Sequence, residues 1–202
     1  MSDNANPSPD SSADHRVAWV DLEHFRVTDY NPGSLPARAT WYVVCELLFA
    51  SALPLPSSWK CALLRCFGAQ IGNGVVIKPR VRIKFPWQLR IGDHTWIGEG
   101  SWIDNLAMVD VGSHVCISQG TYFCTGSHDH RKQNFDLLTA PITVGDGAWV
   151  AARTTLLGGV SVGPNALVAA ASMVHKDVPA GVIVGGNPAV VIRDRQKPAS
   201  DS

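Results

Sequence analysis

From Val144 to Val178 the chain repeats every six residues. Val144, Val150, Leu156, Val162, Val168 and Val174 stand six apart without a break, and four residues after each comes Ala148, Thr154, Val160, Ala166, Ser172 or Val178. A helix needs a period of about 3.6 and an ordinary strand a period of about 2, so neither fits. A fixed six, with a branched aliphatic at one position and a mostly small residue four later, marks a parallel β-helix. Each hexapeptide is one short strand and a turn, and three of them close a triangular rung of about 18 residues. The aliphatic points inward and stacks on its equivalents above and below, while the small residue sits where the wall bends. Gly145 and Gly163 follow the aliphatic where a turn needs unusual backbone angles. One rung cannot bury its own interior, so several must stack. A β-sandwich is the competing all-β reading, but sandwich turns do not recur at fixed six-residue intervals.

The rhythm begins well before Val144. Ile71, Ile77 and Ile83 form one run, with Val75, Val81 and Trp87 four later. The phase slips by two, and Ile91, Ile97, Ile103 and Val109 follow, with Thr95, Ser101 and Ala107. It slips again to Val111, Ile117 and Phe123, with Val115, Thr121 and Ser127, and is then lost until Val144. Residues 125–141 therefore read as a loop extruded from a coil of about six rungs over residues 71–178.

The flanks read differently. Met1 to Ala13 is polar, rich in Ser, Asp, Asn and Pro, and lacks the pattern of a signal peptide. Residues 38–70 are rich in Leu, Ala and Trp, and read as an arm of two helices, about 38–52 and 57–67, broken at Pro54 and Pro56. Glu46 and Pro54 interrupt its apolar run, which is too short to span a bilayer. It either caps the open end of the coil or lies as an interfacial helix giving peripheral membrane association. The division is then 1–37 as a mostly disordered segment, 38–70 as the helical arm, 71–193 as the β-helix and 194–202 as a flexible tail. Net charge is zero, with no basic stripe, which argues against a nucleic-acid partner. Five cysteines, Cys45, Cys61, Cys66, Cys116 and Cys124, lack metal-like spacing and read as reduced core thiols of a cytoplasmic protein.

Histidine is the side chain whose ordinary pKa suits proton transfer near neutrality, and the chain has seven. His15 and His24 precede the helices, His94 and His114 occupy solvent-facing turn positions, and His175 lies in the last regular repeat. His128 and His130 sit where the coil opens into its long excursion, in Thr125-Gly126-Ser127-His128-Asp129-His130. Long loops on rigid scaffolds are favoured places for function. Spacing alone leaves both as candidates for a catalytic base, against a pair of solvated loop histidines.

Leu-Leu-Arg-Cys-Phe-Gly-Ala (63–69), Phe-Pro-Trp (85–87), Ile-Ser-Gln (117–119), Cys-Thr-Gly-Ser-His-Asp-His (124–130) and Gly-Gly-Asn-Pro-Ala (185–189) carry a further signal. Through these the chain, from about Leu63 to Arg193, resembles the hexapeptide-repeat O-acetyltransferases of exopolysaccharide synthesis, above all the colanic-acid-type (WcaF-like) branch. It is similar also to the maltose and galactoside O-acetyltransferases. The resemblance implies a single-stranded left-handed parallel β-helix, a hand that departs from the usual right-handed crossover. It implies an acetyl-CoA-dependent enzyme with no metal, assembled as a homotrimer with sites between neighbouring chains. His128, after Thr-Gly, matches the family's general base; His130 does not. Asn105, with Asp104 beside it, matches the region that holds the acceptor.

The same resemblance places CoA along the outside of the coil. Trp149 then lines the pantetheine channel, the Ala152 and Ala170 backbones contact the pantetheine arm, and His175, Lys176 and Arg193 lie near the phosphates and adenine. The family usually has Thr or a similar residue at His175, whose role stays open, while Lys176 and Arg193 suit a polyanion. Gly185, Gly186 and Pro188 shape the turn that ends the coil. Other readings predict other patterns. A carbonic-anhydrase-type coil needs three convergent histidines, two of them five apart on one rung, a spacing absent here. A non-catalytic scaffold has no need of the Thr-Gly-Ser-His loop or of Lys176 and Arg193. Serine acetyltransferases carry a much longer helical N-terminal domain, and amino-sugar N-acetyltransfer stays open as an alternative reaction.

Overall fold

The computed structural model of the chain describes residues 19–197 other than 24, 28 and 29. The readings made for Met1 to Ala13, His15 and His24 lie outside the described residues. Short strands, most of two or three residues, stack into three parallel sheets that form the faces of a prism. Face A runs through Gln70–Ile71, Leu89–Ile91, Val109–Val111, Ile142–Val144 and Ser161–Val162, and a bridge from Val162 to Val178 extends it. Face B runs from Val76–Ile77 through Trp96–Ile97, Cys116–Ile117, Trp149–Val150 and Leu167–Val168 to Val182–Gly186. Face C holds Arg82–Ile83, Trp102–Asp104, Tyr122–Cys124, Thr155–Leu157 and Met173–Val174. The chain visits A, B and C in turn, which makes a parallel β-helix of about six rungs.

The register explains the two slips. Ile71 pairs with Ile91 and Ile91 with Val111, each step being 20 residues, whereas Val144 pairs with Val162, a step of 18. Each early rung carries its two extra residues at the corner between faces C and A, after Ile83 and after Ile103. In the next rung the step from Val111 to Val144 is 33 residues, and the same corner holds the surplus. The excursion is an antiparallel ribbon rather than a loose loop: Gly126–His128 pairs with Leu137–Thr139. It is rooted on the following rung at Gly158, where a Cβ would come within 3.0 Å of the Thr125 carbonyl oxygen.

The aliphatics of the six-residue rhythm form the buried interior, with Ile97, Ile103, Ile117, Phe123, Val150, Leu156 and Val168 among the least exposed residues. Each such side chain contributes about 1.5–3 kcal/mol by leaving water. The small positions carry hydroxyls that would be costly to bury unpaired. Thr95 donates to the Gly112 carbonyl at 2.7 Å, Thr154 to Ala151 at 2.8 Å and Ser172 to Ala169 at 2.6 Å. His94 and His114 hold left-handed turn positions in successive rungs, with their rings stacked at 5.2 Å and exposed.

The arm starts earlier than its composition predicts. Helix α1 covers Leu35–Val44, capped by Ser34 with Pro36 in its first turn, and runs into a π-helical turn at Cys45–Phe49. Helix α2 covers Ser57–Cys66. Both pack on the open end of the coil, and among the described residues no helix is long and apolar enough to cross a membrane. Only Cys45 and Cys61 are buried thiols; Cys66 is exposed, and Cys116 and Cys124 lie half-buried on the outer faces, because outward strand positions alternate with core ones. The far end is closed by Val182–Gly186 pairing antiparallel with Ala189–Asp194. The chain stays docked beyond that strand, since Arg195 donates to the Gly147, Asn165 and Ala166 carbonyls.

Two stability effects follow. Asn105 accepts from Phe85 N–H at 2.9 Å and donates to the Phe85 and Gln88 carbonyls at 2.6 and 2.9 Å. Asn105→Ala should cost about 3 kcal/mol, because it leaves these buried groups unpaired, and should lower the urea midpoint at unchanged m. Lys60 is fully buried, and burial holds its ammonium below the usual lysine range. The unfolded chain keeps that proton up to about pH 10.4. The native state therefore sheds it first, and Lys60's contribution to stability should rise with pH across the window between its lowered pKa and ~10.4. The urea midpoint of the native chain measured relative to that of Lys60→Met should show that rise from pH 8 to 11.

Candidate active site

The hairpin that leaves the C–A corner brings His128 under close control. Across the ribbon, His128 Nδ1 lies 2.8 Å from the carbonyl oxygen of Phe135, and the two rings stack at 4.3 Å with planes 3° apart. Phe135 has a left-handed backbone, φ 51°, which costs a bulky residue energy and recurs at functional sites. A carbonyl only accepts, so Nδ1 carries the proton and Nε2 is left with its lone pair. Phe25, from the segment preceding the helices, adds an edge contact to the ring at 5.6 Å, and Asp21 N–H bonds the Gln133 carbonyl at 2.8 Å. Part of the segment read as disordered thus lies across the hairpin.

Asp129 bonds Arg131 rather than His128. Its Oδ1 accepts from Arg131 N–H and Nε at 3.1 Å each, and those bonds hold the carboxyl below the usual range. His130 is exposed in the turn.

Asn105 is fully buried with its amide spent on the Phe85–Gln88 turn. The acceptor-holding role expected of it is one its side chain cannot fill, because it stacks inside the coil. Its neighbour Asp104 faces outward. Asp104 Oδ1 pairs with Lys84 Nζ at 2.8 Å, Oδ2 accepts from the Tyr122 hydroxyl at 3.3 Å, and the Asp104 carbonyl accepts from Thr125 Oγ1 at 2.8 Å. Burial first, then Cys124 and the Asp104 charge, push the Tyr122 hydroxyl upward. Asp104 also edges a groove of about 600 Å³ between α1 and face C, walled by Arg38, Tyr42, Arg82, Lys84 and Trp102.

The residues expected at the acyl donor fall on two corners. His175 and Lys176 are exposed at the C–A corner, two rungs beyond the hairpin, about 10 Å along the axis at 4.8 Å per rung. Ala152 and Ala170 stand at the B–C corner on adjacent rungs, where the Ala152 carbonyl accepts from Ala171 N–H at 2.9 Å. Trp149 is 42% exposed on face B, its indole donating to Ser118 Oγ at 2.9 Å. Arg193 is exposed on the closing strand opposite Ile183. A single chain therefore unites His128 with His175 and Lys176, and keeps Trp149, Ala152, Ala170 and Arg193 apart from them. Among the described residues no three His, Cys, Asp or Glu side chains converge to hold a metal ion.

No family model matches the chain. It is 41% identical over 176 residues to an Escherichia coli K12 protein named as a colanic acid biosynthesis acetyltransferase, WcaF, covering 87% of this chain and 97% of that one. The chain belongs to the hexapeptide-repeat acetyltransferases, in the WcaF-like branch. The galactoside O-acetyltransferase of the same organism is 28% identical over 136 residues, 66% of this chain and 67% of that one. Among solved structures, a hexapeptide-repeat acetyltransferase of Vibrio cholerae complexed with acetyl coenzyme A superposes with a TM-score of 0.75 at 27% identity, covering 87% of this chain and 97% of that one.

Within this WcaF-like chain, sequence reasoning missed Phe25 and Phe135. A backbone carbonyl leaves no mark in a sequence, and a left-handed aromatic is not predicted by any propensity. The hairpin geometry is checked by nitrogen-15 NMR of the imidazoles: the neutral His128 ring should be the Nδ1–H tautomer, with Nε2 showing the shift of an unprotonated ring nitrogen.

Proposed function

We propose that the protein transfers acetyl from acetyl-CoA to a sugar hydroxyl in exopolysaccharide or capsule synthesis, with His128 as general base. The observation that carries this reading is the His128 Nδ1 contact to the Phe135 carbonyl, which leaves Nε2 free to accept a proton. The acceptor's O–H gives its proton to Nε2 as that oxygen forms a bond to the thioester carbonyl carbon. The tetrahedral intermediate collapses with cleavage of the C–S bond, and the imidazolium returns the proton to the leaving CoA thiolate. Backbone N–H groups at the corner meet the developing oxyanion. A positioned base of this kind contributes about 10²–10⁴-fold in rate.

Trp149 is assigned to the wall of the pantetheine channel, Ala152 and Ala170 to backbone contacts with the pantetheine arm, and Lys176, Arg193 and His175 to the phosphate and adenine end. The acceptor lies in the groove edged by Asp104, which takes the role first given to Asn105. A homotrimer is the assembly that joins these parts, because His128 and the Ala152–Ala170 pair stand at opposite edges of face C, with Trp149 farther round on face B. It also covers the outward indoles of Trp96 and Trp149. The V. cholerae relative's complex with acetyl coenzyme A supports the choice of donor, and the WcaF name supports the pathway. The site of action is the cytoplasm.

His128→Ala should lower kcat for acceptor-dependent CoA release by about 10²-fold or more while CoA binding, followed by calorimetry, survives. Full activity in His128→Ala, with loss in His130→Ala, would overturn the assignment.

A further inference from the structure

We propose that the acceptor is an acidic glycosyl unit, and that the groove between α1 and face C receives its carboxylate or phosphate oxygens on Arg38. This deepens the acetyl-transfer reading and rests on it for the position of the reacting hydroxyl. Three cations line the groove, but two are already tied: Arg82 lies 3.6 Å from Glu46, and Lys84 lies 2.8 Å from Asp104. Arg38 has no ion pair among the described residues. A guanidinium offers a planar fork of donors that matches a carboxylate or phosphate two bonds at a time. A neutral sugar would leave that fork facing the groove unpaired.

Tyr30 lies near Arg38 but is not among the residues that line the groove. Tyr30 Oη is shielded from solvent and has no hydrogen-bond partner among the described residues. Tyr30 is near enough to Arg38 and Asp104 for both charges to act on its hydroxyl, and burial pushes that hydroxyl up to about 12, so it stays protonated and able to donate. The third wall is flat and apolar: Trp102 stacks on Tyr122 at 4.8 Å with planes 29° apart, a surface suited to the C–H face of a pyranose.

The distances suit a glycosyl unit. On face C the groove runs from Arg82 to Trp102 and Asp104 on the next rung, a step of about 5 Å, and α1 forms its other wall. Its upper edge, Asp104, is hydrogen-bonded to Thr125, three residues before His128. Three extended residues reach at most ~11 Å. A sugar presenting one hydroxyl to His128 can therefore rest on Trp102 while its oxyanion, or that of the adjoining unit, meets Arg38.

The test titrates methyl β-glucuronide, glucose 1-phosphate and methyl β-glucoside into the full-length protein with CoA present, and follows CoA release from acetyl-CoA in parallel. At least one acidic sugar should bind about 10- to 100-fold more tightly than the neutral glucoside. Arg38→Gln should bring the acidic sugar to the neutral one's affinity, and Arg38→Lys should keep part of the preference. Whether glucuronide or glucose 1-phosphate binds more tightly names the oxyanion. Equal binding of all three, no binding of either acidic sugar, or a preference that survives Arg38→Gln would overturn the proposal. Arg38-dependent binding without CoA release from any acceptor would instead sink the acetyl-transfer reading and leave the anion site standing.

Discussion

A coil made of strands two or three residues long has nothing within a strand to hold it. Each rung's backbone is satisfied by the rungs above and below, so the first rung faces the problem of any sheet edge: a row of carbonyls with no partner. The helical arm solves it on all three faces with side chains. Arg65 donates to Ile71 and Gly72 at the start of face A. Lys60 donates to Ile77 and Lys78 on face B, and Ser57 exchanges hydrogen bonds with Ile77. The Trp41 indole donates to Ile83 on face C at 2.7 Å, with the Cys45 thiol beside it. Burying a lysine is costly unless its protons are spent, and here they are spent on carbonyls that would otherwise be orphaned. The same arm supplies Arg38 and Tyr42 to the groove, so capping the coil and shaping the candidate acceptor site are one structural act.

The coil also restricts where chemistry can sit. A regular stack tolerates extra residues only where they leave the wall, and all the surplus lies at the corner between faces C and A. The first two rungs spend two residues each there, and Asn105 and Thr125 turn inward to tie the wider corner down. Asn105 holds the Phe85–Gln88 turn, and Thr125 holds Asp104 and accepts from Ala107 N–H. The third rung opens there into the His128 hairpin. The slips by two and the long excursion are thus one feature at growing amplitude.

Much of this was legible because the coil is strictly periodic. Inward aliphatics, small corner residues and the break at Thr125 are all local in the sequence, so rung number, face and loop could be read directly. Asp104 and Asn105 show where that reading stops. They are adjacent and both polar, and only the two-residue widening of the corner decides that Asn105 points in and Asp104 out. Phe135 is harder still. Its contribution is a carbonyl and an aromatic plane delivered across a ribbon whose register no repeat fixes. Helix α1 began at Leu35 rather than 38 because Ser34 caps it and Pro36 suits its first turn, signals masked by the polar stretch before them.

The division of labour between coil and hairpin bears on how a base can be both exact and replaceable. A coil bonded rung to rung along its whole length is stiff, which suits the wall along which a long cofactor is proposed to lie. His128 instead hangs on a ribbon of three residue pairs, held by a strained aromatic, a single carbonyl and a contact from Phe25. Such an element can be altered in length and sequence without disturbing any rung. Specificity can change at the groove through Arg38 and Trp102, neither of which the coil interior needs. The proposed trimer adds the remaining constraint. With the proposed base at one corner and the proposed pantetheine wall at another, the stiffness of the coil forbids either from moving to meet the other within one chain. Joining them through a neighbouring chain makes activity depend on assembly.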